Sequence, residues 1–263
     1  MRIRIVAGIA VVVCLSFSLL ARDLPPIDEF GAARAHPDAS AAVANRARGL
    51  ARAGSVIPVE ARLRVPTFVW AGAEADVTGA QPGNRGEPLA RDRSEEGAAR
   101  AHLERYAALY GLQRQDVSEA AARMVHNTGR GAIIVKLRQQ VHGIEIFREE
   151  LNVVMDRNMA LVGLAGYISS ANTPAFQGGL SFQLEDRRGV HTALTDVTGT
   201  KASFTDLIPA GSRDGYDFYT LPASAGVTLA SPLRSRKVYF HLQDGLTPGY
   251  YVEVIARDPV SDT

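Results

Sequence analysis

Apolar and polar residues alternate between residues 131 and 168, and this alternation predicts β-strands. The apolar residues fill short runs at residues 133–137, 144–146, 151–155 and 161–164. Polar turns at residues 139–143 and 156–158 separate these runs, which is typical of an antiparallel meander. Because Leu151, Val153 and Met155 keep period 2, one face of the sheet is predicted to be apolar and to need a cover.

A helix over residues 95–113 is the predicted cover of this sheet. Four residues recur at spacings of four, three and four, which places them on one side of a helix: Ala99, Leu103, Tyr106 and Tyr110. Ser94 is a suitable N-cap, and Gly111 is well placed to end the helix. A shorter helix over residues 116–123 is expected to connect it to the meander.

The same order of a helix followed by strands recurs after a predicted linker at residues 171–179. Residues 184–197 favour a helix with one apolar side, formed by Leu184, Val190 or His191, Leu194 and Val197. Strands are predicted at residues 216–221, 227–229, 237–242 and 249–256. Asp244-Gly245 stands between the last two alternating runs, which predicts a hairpin.

Residues 1–21 have the pattern of a secretory signal peptide. Arg2 and Arg4 precede an apolar run of ~17 residues, whereas a transmembrane span usually needs about 20. Cleavage after Ala21 would make the chain secreted. A lipid anchor at Cys14 is the alternative, although Val13 stands where such sites prefer a small residue.

Removal of the signal would leave a nearly neutral chain without cysteine. Cleavage removes Arg2 and Arg4 but no acidic residue, so the formal net charge changes from +1 to −1. A neutral balance argues against a nucleic-acid partner or an anionic membrane. Cys14 is the only cysteine, so the mature chain is expected to lack disulfides and thiolate metal sites.

Residues 22–58 are predicted to be an Ala/Arg-rich arm. This arm is either weakly docked, with a helix over residues 40–53, or partly disordered.

The helix-then-meander order carries a resemblance to a known family. Its most specific part runs from Gln139 to Phe147, as Gln, a spacer and Gly143-Ile144-Glu145-Ile146-Phe147. This segment resembles the propeptide domain shared by fungalysin-type and thermolysin-type secreted zinc metalloproteases. The family's glycine-containing turn is replaced here by Asp156-Arg157-Asn158. The strand at residues 250–254 resembles the second, PepSY-like module of such pro-regions, so the two resemblances cover roughly residues 60–258.

The resemblance implies an α+β fold of two cystatin/PepSY-like modules, each a helix packed on a curved antiparallel sheet. The first, propeptide-like module would span residues 59–170, with an edge strand or bulge at Pro66. The second would span residues 180–258. A short tail at residues 259–263 would lead towards a catalytic domain that this chain does not contain.

Catalytic motifs are missing from the sequence. No His-Glu-x-x-His pattern occurs, and the histidines stand singly, which is typical of surface or capping residues: His36, His102, His126, His142, His191 and His241. Glu149 and Glu150 are consecutive on a predicted strand, so their side chains should point to opposite faces and cannot act as an acid/base pair. Ser169, Ser170 and Ser231 lack a Gly-x-Ser-x-Gly context. We therefore predict no catalytic, cofactor-binding or metal residue, and no cofactor.

The expected function is that of a non-catalytic pro-region. It would act as a folding chaperone and a temporary inhibitor, with the catalytic domain of a secreted zinc metalloprotease as its partner. The alternatives are a stand-alone secreted binding or inhibitor module with the same fold, and an enzyme of unknown type. No nucleic-acid partner, small-molecule cofactor or membrane anchor is expected after signal cleavage.

Overall fold

The computed structural model of the chain describes residues 37–72, 94–170, 181–199, 202–242 and 245–257. The predicted signal peptide, the linker at 171–179, the tail at 259–263, Asp244 and His36 lie outside these residues.

Four α-helices occur in the described ranges: α1 (Ala39–Arg46), α2 (Glu95–Tyr110), α3 (Arg114–Glu119) and α4 (Asp186–Thr198). The ends of α2 are those predicted. The Ser94 side chain accepts a hydrogen bond of 3.0 Å from the Gly97 amide, and Gly111 ends the helix in the left-handed conformation with φ 69°. The predicted apolar stripe of α2 is fully buried.

Eleven strands are present in the described ranges. They are β1 (Val59–Glu60), β2 (Val65–Pro66), β3 (Phe68–Trp70), β4 (Ala121–His126), β5 (Ile133–Val141), β6 (Ile144–Met155), β7 (Leu161–Tyr167), β8 (Ile208–Arg213), β9 (Tyr216–Thr220), β10 (Leu233–Leu242) and β11 (Gly245–Glu253). Strands β1 and β2 pair with each other, and the other nine form one mixed sheet.

The sheet consists of two antiparallel halves, which are joined where β10 of the second half pairs with the long strand β6 of the first. The first half runs β4-β5-β6-β7-β3, and the second runs β8-β9-β10-β11. Strand β7 follows one edge of β6 only as far as the pair Tyr167–Glu150. Beyond that point β10 occupies the same edge and pairs in parallel, with Tyr239 opposite Ile146. The two halves are therefore continuous.

The predicted architecture of two separate helix-on-sheet modules is wrong. Among the described residues, strand residues outnumber helical residues, 40% against 26%, and nine strands belong to one sheet. A core cluster straddles the junction and contains residues of both halves: Val141, Ile146, Tyr239 and Leu246. The sequence pattern shows each antiparallel half because its strands are neighbours along the chain. The parallel junction joins strands that are distant in sequence, so local periodicity does not indicate it.

Both long helices lie on the same face of this sheet. Helix α2 packs on the alternate residues of β5 and β6 that the sequence predicted to be apolar, including Leu137 and Leu151. Val43 on α1 and Leu50, just after this helix, belong to the same cluster. Helix α4 buries Val190 and Leu194 against the second half, whereas the predicted stripe members Leu184 and Val197 are exposed.

An irregularity in β6 decides which side chains face the helices. Arg148 has φ 64°, and the register between β5 and β6 shifts between Arg138 and Gln140. Between the pairs Arg138–Glu150 and Gln140–Glu145, β6 has three more residues than β5, and this odd number reverses the alternation. Ile146 and Leu151, which would point to opposite faces of a regular strand, are therefore both buried on the helix side.

Candidate functional site

A buried polar cluster lies where the two halves of the sheet meet. Glu149, on β6 just after the bulge, has a side chain only 1% exposed. The backbone N–H of Ser169 donates a hydrogen bond of 2.8 Å to Oε2 of this carboxylate, and the Ser169 hydroxyl also contacts it at 2.8 Å. Nδ1 of His241, on β10, lies 2.6 Å from Glu149 Oε1. The cluster thus connects β6, the end of β7 and β10.

These three residues are of the types found in serine hydrolases, but their arrangement is different. In such a triad the acid holds one nitrogen of the imidazole, and the other nitrogen takes the proton of the serine. Here Ser169 Oγ lies 3.0 Å from the same nitrogen, Nδ1, that contacts Glu149. The imidazole therefore does not stand between the acid and the serine as it does in a triad. All three residues are also buried, so the cluster links the two halves of the sheet structurally.

Two further polar side chains complete this cluster. Gln139, the first residue of the family-like segment, is fully buried and donates a hydrogen bond of 3.0 Å from Nε2 to the carbonyl of Ser169. The guanidinium of Arg62, from the turn between β1 and β2, donates to the carbonyl of His241. Burial, together with the negative charges of Glu60 and Glu149, raises the pKa of the nearby Tyr167 phenol. Most of these buried polar groups thus satisfy one another, although within the described residues Oε1 of Gln139 has no hydrogen-bond partner.

The opposite face of the sheet carries a set of charged side chains that we call the arginine belt. Its charged members are Arg123, Lys136, Arg138, Glu145, Glu150, Arg234, Arg236 and Glu253. Glu145 is the centre of the belt, because Arg123 contacts it at 2.9 Å, Arg138 at 3.0 Å and Arg236 at 2.5 Å. Arg236 comes from the second half of the sheet, so the belt crosses the junction on the outer face as the buried cluster does on the inner face.

Aromatic rings lie among these charges. The guanidinium of Arg236 lies 5.1 Å from the ring centre of Tyr216 and 5.7 Å from that of Tyr251. Arg234 lies over Tyr216 at 4.8 Å, and Phe147 packs against Tyr251 with ring centres 5.5 Å apart. These rings are half-buried. A flat surface of guanidinium groups and partly exposed aromatic rings is the composition that protein interfaces favour.

The positions of some of these residues are those that the sequence predicts, and the positions of others are not. Glu149 and Glu150 do point to opposite faces, since Glu149 is in the buried cluster and Glu150 binds Lys136 and Arg138. The cluster of Glu149, Ser169 and His241 was not predicted. No local signal could have indicated it, because the three residues come from distant parts of the chain.

The other described histidines stand apart from one another. His102 is buried on α2 and bonds the carbonyl of Met159, while His191 on α4 bonds the carbonyl of Ala202. His126 and His142 are exposed. Within the described part of the chain, no three His, Cys, Asp or Glu side chains are placed to share a metal ion.

None of the helices in the described ranges combines the length and apolar character of a membrane span.

No protein-family model matches the sequence, and no curated protein matches it.

Proposed function

We propose that the chain is a secreted, non-catalytic pro-region of a zinc metalloprotease, which assists folding of the protease and inhibits it temporarily. The proposal comes from the residues that resemble the fungalysin-type and thermolysin-type propeptides. One observation carries it: the two resembling segments adjoin in a single sheet. Gln139 to Phe147 forms the β5–β6 hairpin, and β10 contacts both β6 and the second segment on β11.

The arrangement of the sheet supports this function. A chaperone and inhibitor needs a preformed surface for the protein that it binds, since ordering a flexible surface would weaken binding. Here α2 and α4 cover one face of the sheet. Beneath them, the buried cluster of Glu149, Ser169 and His241 links the two halves of the sheet. The other face presents the arginine belt and its aromatic rings, and this is the surface that we assign to the protease.

The test is inhibition of a fungalysin-type and a thermolysin-type protease by the purified chain without residues 1–21. Refolding of the same proteases from denaturant is measured in parallel. We expect slow, tight inhibition and a higher yield of refolded protease, both absent with a serine protease of similar size. A folded chain that neither inhibits nor assists either enzyme would refute the pro-region function and favour a stand-alone secreted binding module.

A further inference from the structure

Positive charge is in surplus at the centre of the arginine belt. Three guanidinium groups, from β4, β5 and β10, converge on the single carboxylate of Glu145, whose side chain is 10% exposed. One carboxylate neutralises one of these charges. The other ion pairs of the belt add two cations, Lys136 and Arg234, and two acids, Glu150 and Glu253. The belt therefore holds five cations and three acids, a surplus of two positive charges.

The guanidinium groups of Arg123 and Arg138 are partly exposed, whereas Nε of Arg236 is buried. A guanidinium has five N–H donors, and the fork that they form matches a carboxylate. In the belt the Arg123 side chain contacts Glu145 through Nε, and Arg236 does so through Nη1. The side chain of Arg123 is close to half exposed. An incoming anion would meet donors that the strands and the aromatic contacts of Arg236 already position, at little cost in side-chain entropy.

We propose that the arginine belt binds an acidic, extended peptide segment of a partner protein. In an extended peptide, side chains on one face recur every two residues, about 6.6 Å apart. Carboxylates at that spacing can meet guanidinium groups on neighbouring strands of the belt, while the intervening backbone lies on the rings of Tyr216 and Tyr251. The inference goes beyond the proposed function, because it rests on charges and rings of this chain and does not depend on the partner being a protease.

The acids within the belt favour a peptide over a nucleic acid. A nucleic-acid strand carries a phosphate on every nucleotide, so its negative charge is continuous and is matched by a continuous basic surface. Glu145, Glu150 and Glu253 interrupt the positive charge of the belt and would repel such a strand. A peptide can place uncharged residues opposite these acids.

The probe is a short fluorescein-labelled peptide of alternating Glu and Ser, with Gln-Ser and Lys-Ser peptides as matched controls. Fluorescence anisotropy is measured with the full chain at low and at high salt. We expect binding of the Glu-Ser peptide alone, weakened by salt. The double variant Arg123→Gln/Arg236→Gln should bind it at least roughly tenfold more weakly, as charge-assisted hydrogen bonds are lost. Arg114→Gln, which alters an arginine 90% exposed on α3, should bind as the parent does.

A variant that is expected to bind more tightly separates recognition from loss of fold. Glu145→Gln removes one acid and raises the surplus of the belt from two to three positive charges, so it should strengthen binding roughly threefold. Failure to fold cannot produce that result. The proposal is overturned if the Glu-Ser peptide does not bind, if the arginine variant binds it unchanged, or if Glu145→Gln does not strengthen binding. Tighter binding of an oligodeoxythymidylate than of the peptide would also overturn it, in favour of a nucleic-acid surface.

Discussion

Tyr239 on β10 lies directly opposite Ile146 on β6, in the parallel pair that joins the two antiparallel halves of the sheet. Both side chains are buried in one cluster with Val141 and Leu246, so apolar contacts reinforce this short stretch of pairing. Since one parallel pair supplies few hydrogen bonds, the burial of these side chains contributes to holding the halves together, beside the contacts of Glu149 with His241 and of Glu145 with Arg236. Changes at this junction should therefore affect both halves.

Substitution of Ile146 by Asp tests this role. The side chain is 2% exposed, and an aspartate there would place an unpaired charge in the cluster. We expect Ile146→Asp to lower the free energy of unfolding by about 3 to 5 kcal/mol, measured by urea denaturation. Val162→Asp on β7, where the side chain is 37% exposed, is the control and should cost less than about 1 kcal/mol. Similar losses in the two variants would show that the face assignment of Ile146 is wrong.

Glu149 and Glu150 provide a second comparison, since they are adjacent in sequence and lie on opposite faces. An amide at position 149 would present N–H groups to the N–H and hydroxyl donors of Ser169 and His241, which leaves buried donors unsatisfied. We expect Glu149→Gln to cost about 2 to 3 kcal/mol in the free energy of unfolding. Glu150→Gln removes half-exposed ion pairs with Lys136 and Arg138 and should cost no more than about 1 kcal/mol.

Chemical denaturation of Glu149→Gln, Glu150→Gln and His241→Ala completes this comparison. If the carboxylate and the imidazole act together, the double variant Glu149→Gln/His241→Ala should lose less stability than the two single variants combined. Full additivity would show that the contact between Glu149 and His241 does not contribute.

The parts of the fold that the sequence predicts are those with local signals. Ser94 and Gly111 gave the ends of α2, and the alternation at Leu151, Val153 and Met155 gave the buried face of β6. Strand β4 was missed because its alanines extend the composition of the helix before it, and a helix was predicted as far as Arg123. Strand β8 was missed because it contains proline and glycine and is exposed throughout.

The features that could not be predicted depend on contacts between distant residues. The pairing of Ile146 with Tyr239 leaves no periodic trace, because either strand would show the same alternation with another partner. The arginine belt likewise assembles from β4, β5, β6, β10 and β11. Nothing in the sequence around Glu145 indicates that Arg236 will contact it. Both features follow from how the two halves meet, and that is a tertiary property.

Gly166 on β7 allows a test of close backbone packing. Its φ is 95°, and a Cβ at this position would lie 2.2 Å from the carbonyl oxygen of Glu150. Backbone on β6 would have to move, so we expect Gly166→Ala to cost about 3 kcal/mol in the free energy of unfolding. Gly129→Ala is the matched control, since its φ is 80° and no atom lies within 4 Å of the added Cβ. That variant should lose only about 1 kcal/mol, from backbone strain. Equal losses would indicate that strain, and not the approach of β7 to β6, determines the effect.

The burial of His102 on α2 leads to a prediction of how the free energy of unfolding depends on pH. The side chain is buried, and Nε2 donates a hydrogen bond of 2.8 Å to the carbonyl of Met159. Burial lowers the pKa of this imidazole below 6.5, against the opposing effect of the hydrogen bond. Of the charged neighbours, Arg105 also lowers the pKa of His102 and Asp156 raises it. As the pH falls below about 6.5, the unfolded chain therefore binds a proton that the folded chain does not, and the free energy of unfolding decreases.

The His102→Gln variant isolates this contribution, because a glutamine keeps an N–H donor for Met159 but does not titrate. We expect the parent chain to lose stability between pH 6.5 and pH 5 with a slope of at most about 1.4 kcal/mol per pH unit from this residue. The slope should be smaller in His102→Gln, while the two curves run parallel above pH 7.5, where the imidazole is neutral in both states. Urea denaturation across this pH range measures both slopes. Parallel curves below pH 6.5 would mean that His102 takes up its proton equally well in the folded chain, and that its burial on α2 does not oppose the charge.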